Sequence, residues 1–261
     1  MTPEEMVSRL LYRDGLMLVI DKPAGTAVHR GSPNSKDRNK PSLEDYFDAL
    51  RFGLPRPPAL AHRLDRDTSG CLVLGRHRKA LAQLGKLFRN GAIEKTYWAV
   101  VEGVPGADEG VIEFPLGRLD DRIGWWMKHD PNGQPAITKW NVMGRSSCTS
   151  AHQGEDKVLT WLSLEPLTGR THQLRVHCAE MGWPIFGDAI YGTAPRTGGP
   201  ALQLHAREVT VPLYKNRAPI RAVAPVPGHM RERLMACGWD GEEEIILPRE
   251  AEEDLSNKLS V

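Results

Sequence analysis

His62-Arg63-Leu64-Asp65-Arg66-Asp67-Thr68-Ser69-Gly70 packs alternating charge, a hydroxyl pair and a glycine directly ahead of the apolar run Cys71-Leu72-Val73-Leu74. The apolar run reads as a buried strand, so the polar stretch before it is a loop held at a sheet edge. The guanidinium groups of Arg63 and Arg66 favour an ionised carboxylate at Asp65 between them. Taken alone, Asp65 or Asp67 is better read as the start of an Asx turn.

Upstream, Leu16-Met17-Leu18-Val19-Ile20 is a second buried strand, closed by the turn Asp21-Lys22-Pro23-Ala24-Gly25. His29 to Pro41 is polar and rich in turn formers and reads as a mobile loop. Ser42 N-caps a helix to Phe52, with Leu43, Tyr46, Phe47 and Leu50 as its apolar stripe and Gly53 as its stop. Downstream, Lys79 to Asn90 is a helix with Leu81, Leu84, Leu87 and Phe88 on one side. Ile93 to Val101 alternates as a strand, which sends Lys95 and Tyr97 to the same face.

Gly103 to Gly154 reads as hairpins and loops, with strand candidates at Val111-Phe114 and Ala136-Val142. A strand at Val158-Leu164 leads through Thr168-Gly169-Arg170 to a helix N-capped by Thr171, carrying Leu174, Cys178 and Met181 and ending at Gly182. Helix N-termini attract anions and arginine forks grip carboxylates or phosphates, so Arg170 and Arg175 stand out, although surface arginines beside a cap would look the same. Leu202-His205 and Glu208-Leu213 read as two further strands.

The chain has 261 residues, 40% hydrophobic and 26% charged, enough to bury a substantial core and incompatible with disorder throughout. No stretch approaches the roughly 20 apolar residues of a membrane span, and no basic and apolar leader opens the sequence, so a cytoplasmic location is expected. Cys71, Cys148, Cys178 and Cys237 are scattered and read as buried, reduced thiols.

The net charge of +1 conceals a division. From Cys237 onward eight acidic residues face two basic ones, so an acidic tail at 237–261 follows a body, 1–236, that carries +7. Between Ala61 and Lys95 eight basic residues face three acidic ones, a pattern shared by nucleic-acid footprints and by solvated helix faces. We expect the tail to stay solvated and discourage nonspecific contact with polyanions, or else to pack on the body through Ile245, Ile246, Leu247 and Leu255.

Several chemistries lack their signals. His172 and His177 are five apart, about 140° round a helix, where paired metal ligands want i, i+4, and His62 and His205 stand far off. Neither a phosphate-binding glycine loop, a dinucleotide fingerprint nor a Gly-x-Ser-x-Gly elbow occurs. A lone carboxylate, an aromatic and a lysine on one strand face, and arginines remain. A carboxylate can attack a sugar carbon or remove a proton beside it. Glycosidases use two separated carboxylates, and Asp65 and Asp67 lie too close in sequence to be a confident pair.

His62-Arg63-Leu64-Asp65 with Thr68-Ser69-Gly70 resembles the signature of the RluA-type RNA pseudouridine synthases. Other similar blocks follow in the same order: Asp21-Lys22-Pro23-Ala24-Gly25, Lys95-Thr96-Tyr97, Gly169-Arg170-Thr171-His172-Gln173-Leu174-Arg175-Val176-His177, Pro184-Ile185-Phe186-Gly187-Asp188 and Leu202-Gln203-Leu204-His205-Ala206. Together they run from about Leu16 to Pro227. Gly75-Arg76 departs from a common Ala-Lys pair, and no S4-like RNA-binding domain precedes the blocks, as in short members acting on transfer RNA or small stem-loops.

The resemblance implies an α+β fold, a mixed, largely antiparallel sheet in two joined halves with flanking helices and a central cleft. It implies isomerisation of uridine to pseudouridine in ribosomal or transfer RNA, with no metal, nucleotide or redox cofactor, by a monomer without membrane partners. It makes Asp65 the catalytic carboxylate, Arg175 its partner, Tyr97 the aromatic that stacks on the target base and Leu204 the residue beneath that ring. Arg63 would enter the RNA stack in place of the flipped nucleotide, with Lys95 in support. The competing expectations are a non-catalytic RNA-binding module and a nucleoside or glycoside hydrolase.

Overall fold

The computed structural model describes residues 1–30, 41–120, 126–146, 150–152 and 155–243. The first elements are α1 (Pro3–Ser8), β1 (Leu10–Arg13), β2 (Met17–Lys22), a 3-10 helix (Leu43–Leu50), β3 (Ala59–Leu60), β4 (Ser69–Gly75) and α2 (Arg78–Arg89). Then follow β5 (Glu94–Glu102), β6 (Glu109–Ile112), β7 (Leu116–Arg118), β8 (Met127–His129), β9 (Thr138–Arg145), β10 (Ser150–His152), β11 (Glu155–Lys157) and β12 (Leu159–Pro166). The last are α3 (Gln173–Glu180), β13 (Leu204–Val211), β14 (Ile220–Val223) and α4 (Gly228–Ala236). The fold is α+β with largely antiparallel strand pairing. Among the described residues no helix is long and apolar enough to cross a membrane.

The chain forms two compact units. The first comprises Met1–Ile93 and Glu208–Pro225. Within it β2 lies antiparallel between β1 and β4, with Lys22 opposite Gly70. β2 is buried at Met17 through Ile20 and all seven residues of β4 are buried, as unbroken apolar runs require. The core joins Val19 and Val73 to Leu84 of α2 and to Val209, Val211 and Ala222 of the β13–β14 hairpin.

The Ser42 helix is present but is 3-10 from Leu43 to Leu50. Ser42 N and Oγ both donate to Asp45 Oδ2, at 2.8 and 3.2 Å, and Phe52 and Gly53 leave the helix with positive φ. The loop expected over His29 to Pro41 lies mostly outside the described residues.

The second unit comprises Glu94–Arg207 and Val226–Glu243. Its strands run β6–β9–β12–β5, all antiparallel. The alternation expected in β5 holds: Ala99 and Val101, with Tyr97, face a core that includes Leu162, Leu174 and Leu204. Val100 and Trp98 face another that includes Trp161, Met230 and Trp239. Ile93 precedes β5 and packs instead in the first unit.

Two sequence expectations are corrected. Leu204–His205 and Glu208–Val211 of the stretches at 202–205 and 208–213 belong to one strand, β13, which runs on through the buried Ala206 and Arg207 between them. The cap of α3 is His172, with left-handed backbone (φ 53°), and not Thr171. The turn before α3 is tied instead by Gln173, whose Oε1 accepts from Thr168 Oγ1 at 2.7 Å and Arg170 N at 3.0 Å.

Candidate active site

Asp65 sits in the loop between β3 and β4 of the first unit, half-buried, and its carbonyl accepts the Thr68 N–H at 3.2 Å, closing a turn. Leu64, Thr68 and Ser69 are buried while Arg63 and Arg66 are exposed, so the loop is rooted at Leu64 and at its Thr68-Ser69 end. Arg66 pairs with Asp67, Nε to Oδ1 at 3.1 Å.

Two residues of the quoted blocks hold this loop from outside its apex. Ala61 N donates to Val73 O at 3.1 Å, and Val73 N donates to His62 Nε2 at 2.9 Å, so an imidazole takes a strand N–H that a neighbouring strand would otherwise satisfy. The His62 ring also stacks on Phe88 of α2, centroids 4.5 Å apart.

Lys22, the last residue of β2, is fully buried, and its Nζ donates to Pro23 O at 2.8 Å and to Arg66 O at 2.9 Å. A buried ammonium is costly unless hydrogen-bonded and paired. Burial pushes the Lys22 amine down to about 7, against the opposing pull of the carboxylates of Asp67, Asp65 and Asp21. The amine is thus a tether beneath the Asp65 loop, from a block whose residues the sequence quoted without a role for Lys22.

In the second unit, Lys95 and Tyr97 lie half-buried on β5, and burial lowers the Lys95 amine below its ordinary range. Leu204 begins β13 beside the backbone bond from Val100 N to Gln203 O at 3.1 Å, and it shares a core cluster with Leu174, against which Tyr97 packs. Tyr97 and Leu204, expected above and beneath one base, therefore belong to one apolar group.

Arg175 is on α3, whose residues Gln173 through Cys178 are all buried, so its arginine is not a surface residue. Its Nε and Nη2 fork onto Asp188 Oδ2 and Oδ1 at 2.7 and 2.8 Å, both side chains almost wholly excluded from solvent. Burial drives the Asp188 carboxyl upward, but the Arg175 guanidinium and the N–H groups of Tyr191 and Ile190 outweigh it and hold the group below its ordinary value. The Arg175 guanidinium also lies 5.2 Å from the Tyr191 ring centre, and Tyr191 Oη contacts His172 Nδ1 and accepts from Met127 N, both at 2.8 Å. Asp188 and Tyr191 were not assigned from sequence. The bidentate matching of an arginine in one block by an aspartate in the next was the available signal.

The histidines considered as metal ligands are otherwise engaged. His177 is buried with Nδ1 3.0 Å from Thr138 Oγ1 and Nε2 3.1 Å from Phe114 O. Among the described residues no three His, Cys, Asp or Glu side chains cluster as a metal site. Cys71, Cys178 and Cys237 are buried free thiols, and Cys148 lies outside the described residues.

The family model for RNA pseudouridylate synthase matches residues 16–180. An uncharacterized RNA pseudouridine synthase of Zymomonas mobilis is 39% identical over 227 residues, covering 85% of this chain and 95% of the relative. The ribosomal large subunit pseudouridine synthase C of Vibrio cholerae is 32% identical over 241 residues, covering 88% and 69%. Among solved structures, the human RNA pseudouridylate synthase domain containing 4 superposes with a TM-score of 0.70 at 26% identity, over 90% of this chain and 95% of that one. The chain belongs to the RNA pseudouridylate synthase family, in its RluA type, whose members isomerise uridine to pseudouridine in RNA.

Proposed function

We propose that the chain modifies a uridine in a ribosomal or transfer RNA stem-loop, as a cytoplasmic monomer, with Asp65 as the catalytic carboxylate. The observation that carries this reading is the Asp65 loop itself: a half-buried carboxylate on a turn pinned by Lys22 below and by His62 at its root. Such pinning supplies the preorganisation that covalent or proton-transfer chemistry requires.

The reaction exchanges one bond for another within the nucleotide. The N1–C1′ bond breaks, the uracil turns while held, C1′ bonds to C5, the C5 proton leaves and N1 takes a proton, so composition is unchanged. Asp65 opens the glycosidic bond, by attack at C1′ or by taking the C2′ proton. Extruding the base costs a few kcal/mol, which stacking on Tyr97 offsets, with Leu204 supporting the ring. Arg175 supplies the guanidinium partner for Asp65, Arg63 fills the vacated place in the RNA stack, and Lys95 stands in support beside Tyr97.

Asp65→Asn should abolish tritium release from RNA labelled at uridine C5 while RNA binding persists. Undiminished release overturns the assignment of Asp65, and free uracil in place of a carbon-linked nucleoside would mark a hydrolase. Carbodiimide-blocked primer extension on ribosomal and transfer RNA identifies the target.

A further inference from the structure

We propose that the outward face of α2 is the docking surface for the ribose-phosphate backbone flanking the target uridine, a role that rests on the reading of Asp65 above. α2 is fixed in rotation by its inner side. Leu84 is fully buried in the core of the first unit, Leu87 and Phe88 pack against that core, and Gln83 Nε2 donates to Leu213 O at 2.7 Å.

At 3.6 residues per turn, Arg78, Arg89, Lys86 and Lys79 fall within about 100° of arc on the side away from the leucines. All four are exposed. Between and beside them stand only Ala82 and Gly85, so nothing bulky separates the cations, and the guanidinium of Arg89 lies over Gly85. The cations span about 16 Å along the axis.

Two features set this face apart from an ordinary solvated one. A soluble surface helix usually alternates signs at i, i+4, whereas α2 contains no acidic residue and, among the described residues, none of its four cations is held in an ion pair. Arg78 and Lys79 also occupy the first turn, where the positive end of the helix dipole disfavours cations. The fold therefore carries uncompensated like-charge repulsion that a polyanion relieves.

The position fits the same partner. Phe88, near the end of α2, stacks on His62, which opens the loop bearing Arg63 and Asp65. Phe88 is on the inward side of α2, so this contact makes α2 a direct neighbour of the loop within one unit while the cations occupy the opposite side of the helix. The row of uncompensated cations, in a family that acts on RNA, selects RNA over an acidic protein.

The test uses the full chain, a four-site neutral variant (Arg78→Gln, Lys79→Gln, Lys86→Gln, Arg89→Gln) and a charge-keeping variant that exchanges arginine and lysine at the same positions. The dissociation constant for a uridine-bearing stem-loop is measured across a salt series. Loss of a phosphate contact lowers the slope of log K against log salt by about 0.7 to 0.9. The neutral variant should bind at least about tenfold more weakly at low salt, with its slope reduced by about 3, and the charge-keeping variant should retain the wild-type slope. An unchanged slope in the neutral variant, or an equal loss in both variants, overturns the proposal. Tritium release by Asp65→Asn is read separately, so an error in the catalytic assignment leaves the salt result to be judged on its own.

Discussion

At the scale of single residues, two buried ionisable side chains hold the Asp65 loop and helix α3 to distant parts of the chain. Lys22 bonds the carbonyl of Arg66, 44 positions away, and Asp188 clamps Arg175, 13 positions away. The Lys22 amine falls to about 7 in the folded chain from an ordinary 10.5. Between those values the unfolded chain binds more protons than the folded one, so Lys22 makes stability rise with pH from about 7 toward about 10.5. Urea unfolding at a series of pH values should show wild type gaining on Lys22→Met across that window; parallel curves would contradict the burial argument. The buried thiols of Cys178 and Cys237, pushed up by burial, act the opposite way above pH 9 but are common to both proteins. Asp188→Asn removes the bidentate carboxylate from a buried guanidinium, at a cost of about 3 to 5 kcal/mol. The expected readouts are a lower urea midpoint and a fall in kcat for tritium release greater than the change in RNA affinity. Both residues stand in recognisable blocks; the matching of arginine by aspartate in successive blocks is a signal for Asp188, whereas nothing local in Lys22 encodes which distant carbonyl will face it.

At the scale of elements, legibility followed how much of the element's stability is local or periodic. β2, β4 and α2 were readable because unbroken apolar runs and a clean leucine stripe leave one burial pattern available. α4 was missed: only Met230 and Leu234 of its nine residues are buried, too few to write a stripe. α3 was misjudged as amphipathic because its polar residues find partners inside, as Gln173 does with Ile137 O and Thr138 Oγ1 at 3.0 Å. The Gly75-Arg76 departure also acquires a reason. A Cβ at Gly75 would stand 2.9 Å from Leu81 Cα, while Arg76 donates to the carbonyls of Asp14, Arg51 and Phe52. Gly75→Ala should therefore push α2 off β4 and destabilise by about 1 to 3 kcal/mol, read as a lower urea midpoint. An unshifted midpoint would mean that α2 can move outward without loss.

At the scale of the molecule, neither unit is continuous in sequence, and the second is completed by Val226–Glu243 after the chain has passed through the first. That return bears on the acidic stretch at 237–261, which composition alone marked as a tail. Its first residues are core: Cys237 and Trp239 are buried, and Trp239 meets Trp98 edge to face at 6.2 Å. Glu243 accepts from Val226 N at 3.1 Å, pairs with Arg231 and lies 3.6 Å from buried Arg207, whose guanidinium covers Trp98 at 4.6 Å. Net charge cannot distinguish such a carboxylate from a solvated one, which is why the sequence left both fates open. The later acidic residues from Glu244 lie outside the described residues, so their proposed role in repelling unrelated RNA is tested by charge without truncation. Changing Glu250, Glu252 and Glu253 to Gln and Asp254 to Asn should tighten binding to unrelated RNA at low salt, and unchanged binding would remove the idea. Ending the chain after Ala236 has a different expected outcome. Loss of a buried tryptophan alone is worth about 3 to 5 kcal/mol, and loss of Glu243 removes one carboxylate beside the buried Arg207 guanidinium. The truncated chain should unfold at a much lower urea concentration than wild type, with Trp239→Ala intermediate and Glu243→Gln nearer wild type. Since the same truncation also deletes the acidic residues, weaker RNA modification by it would report lost structure in the second unit, and only the charge variant isolates electrostatics.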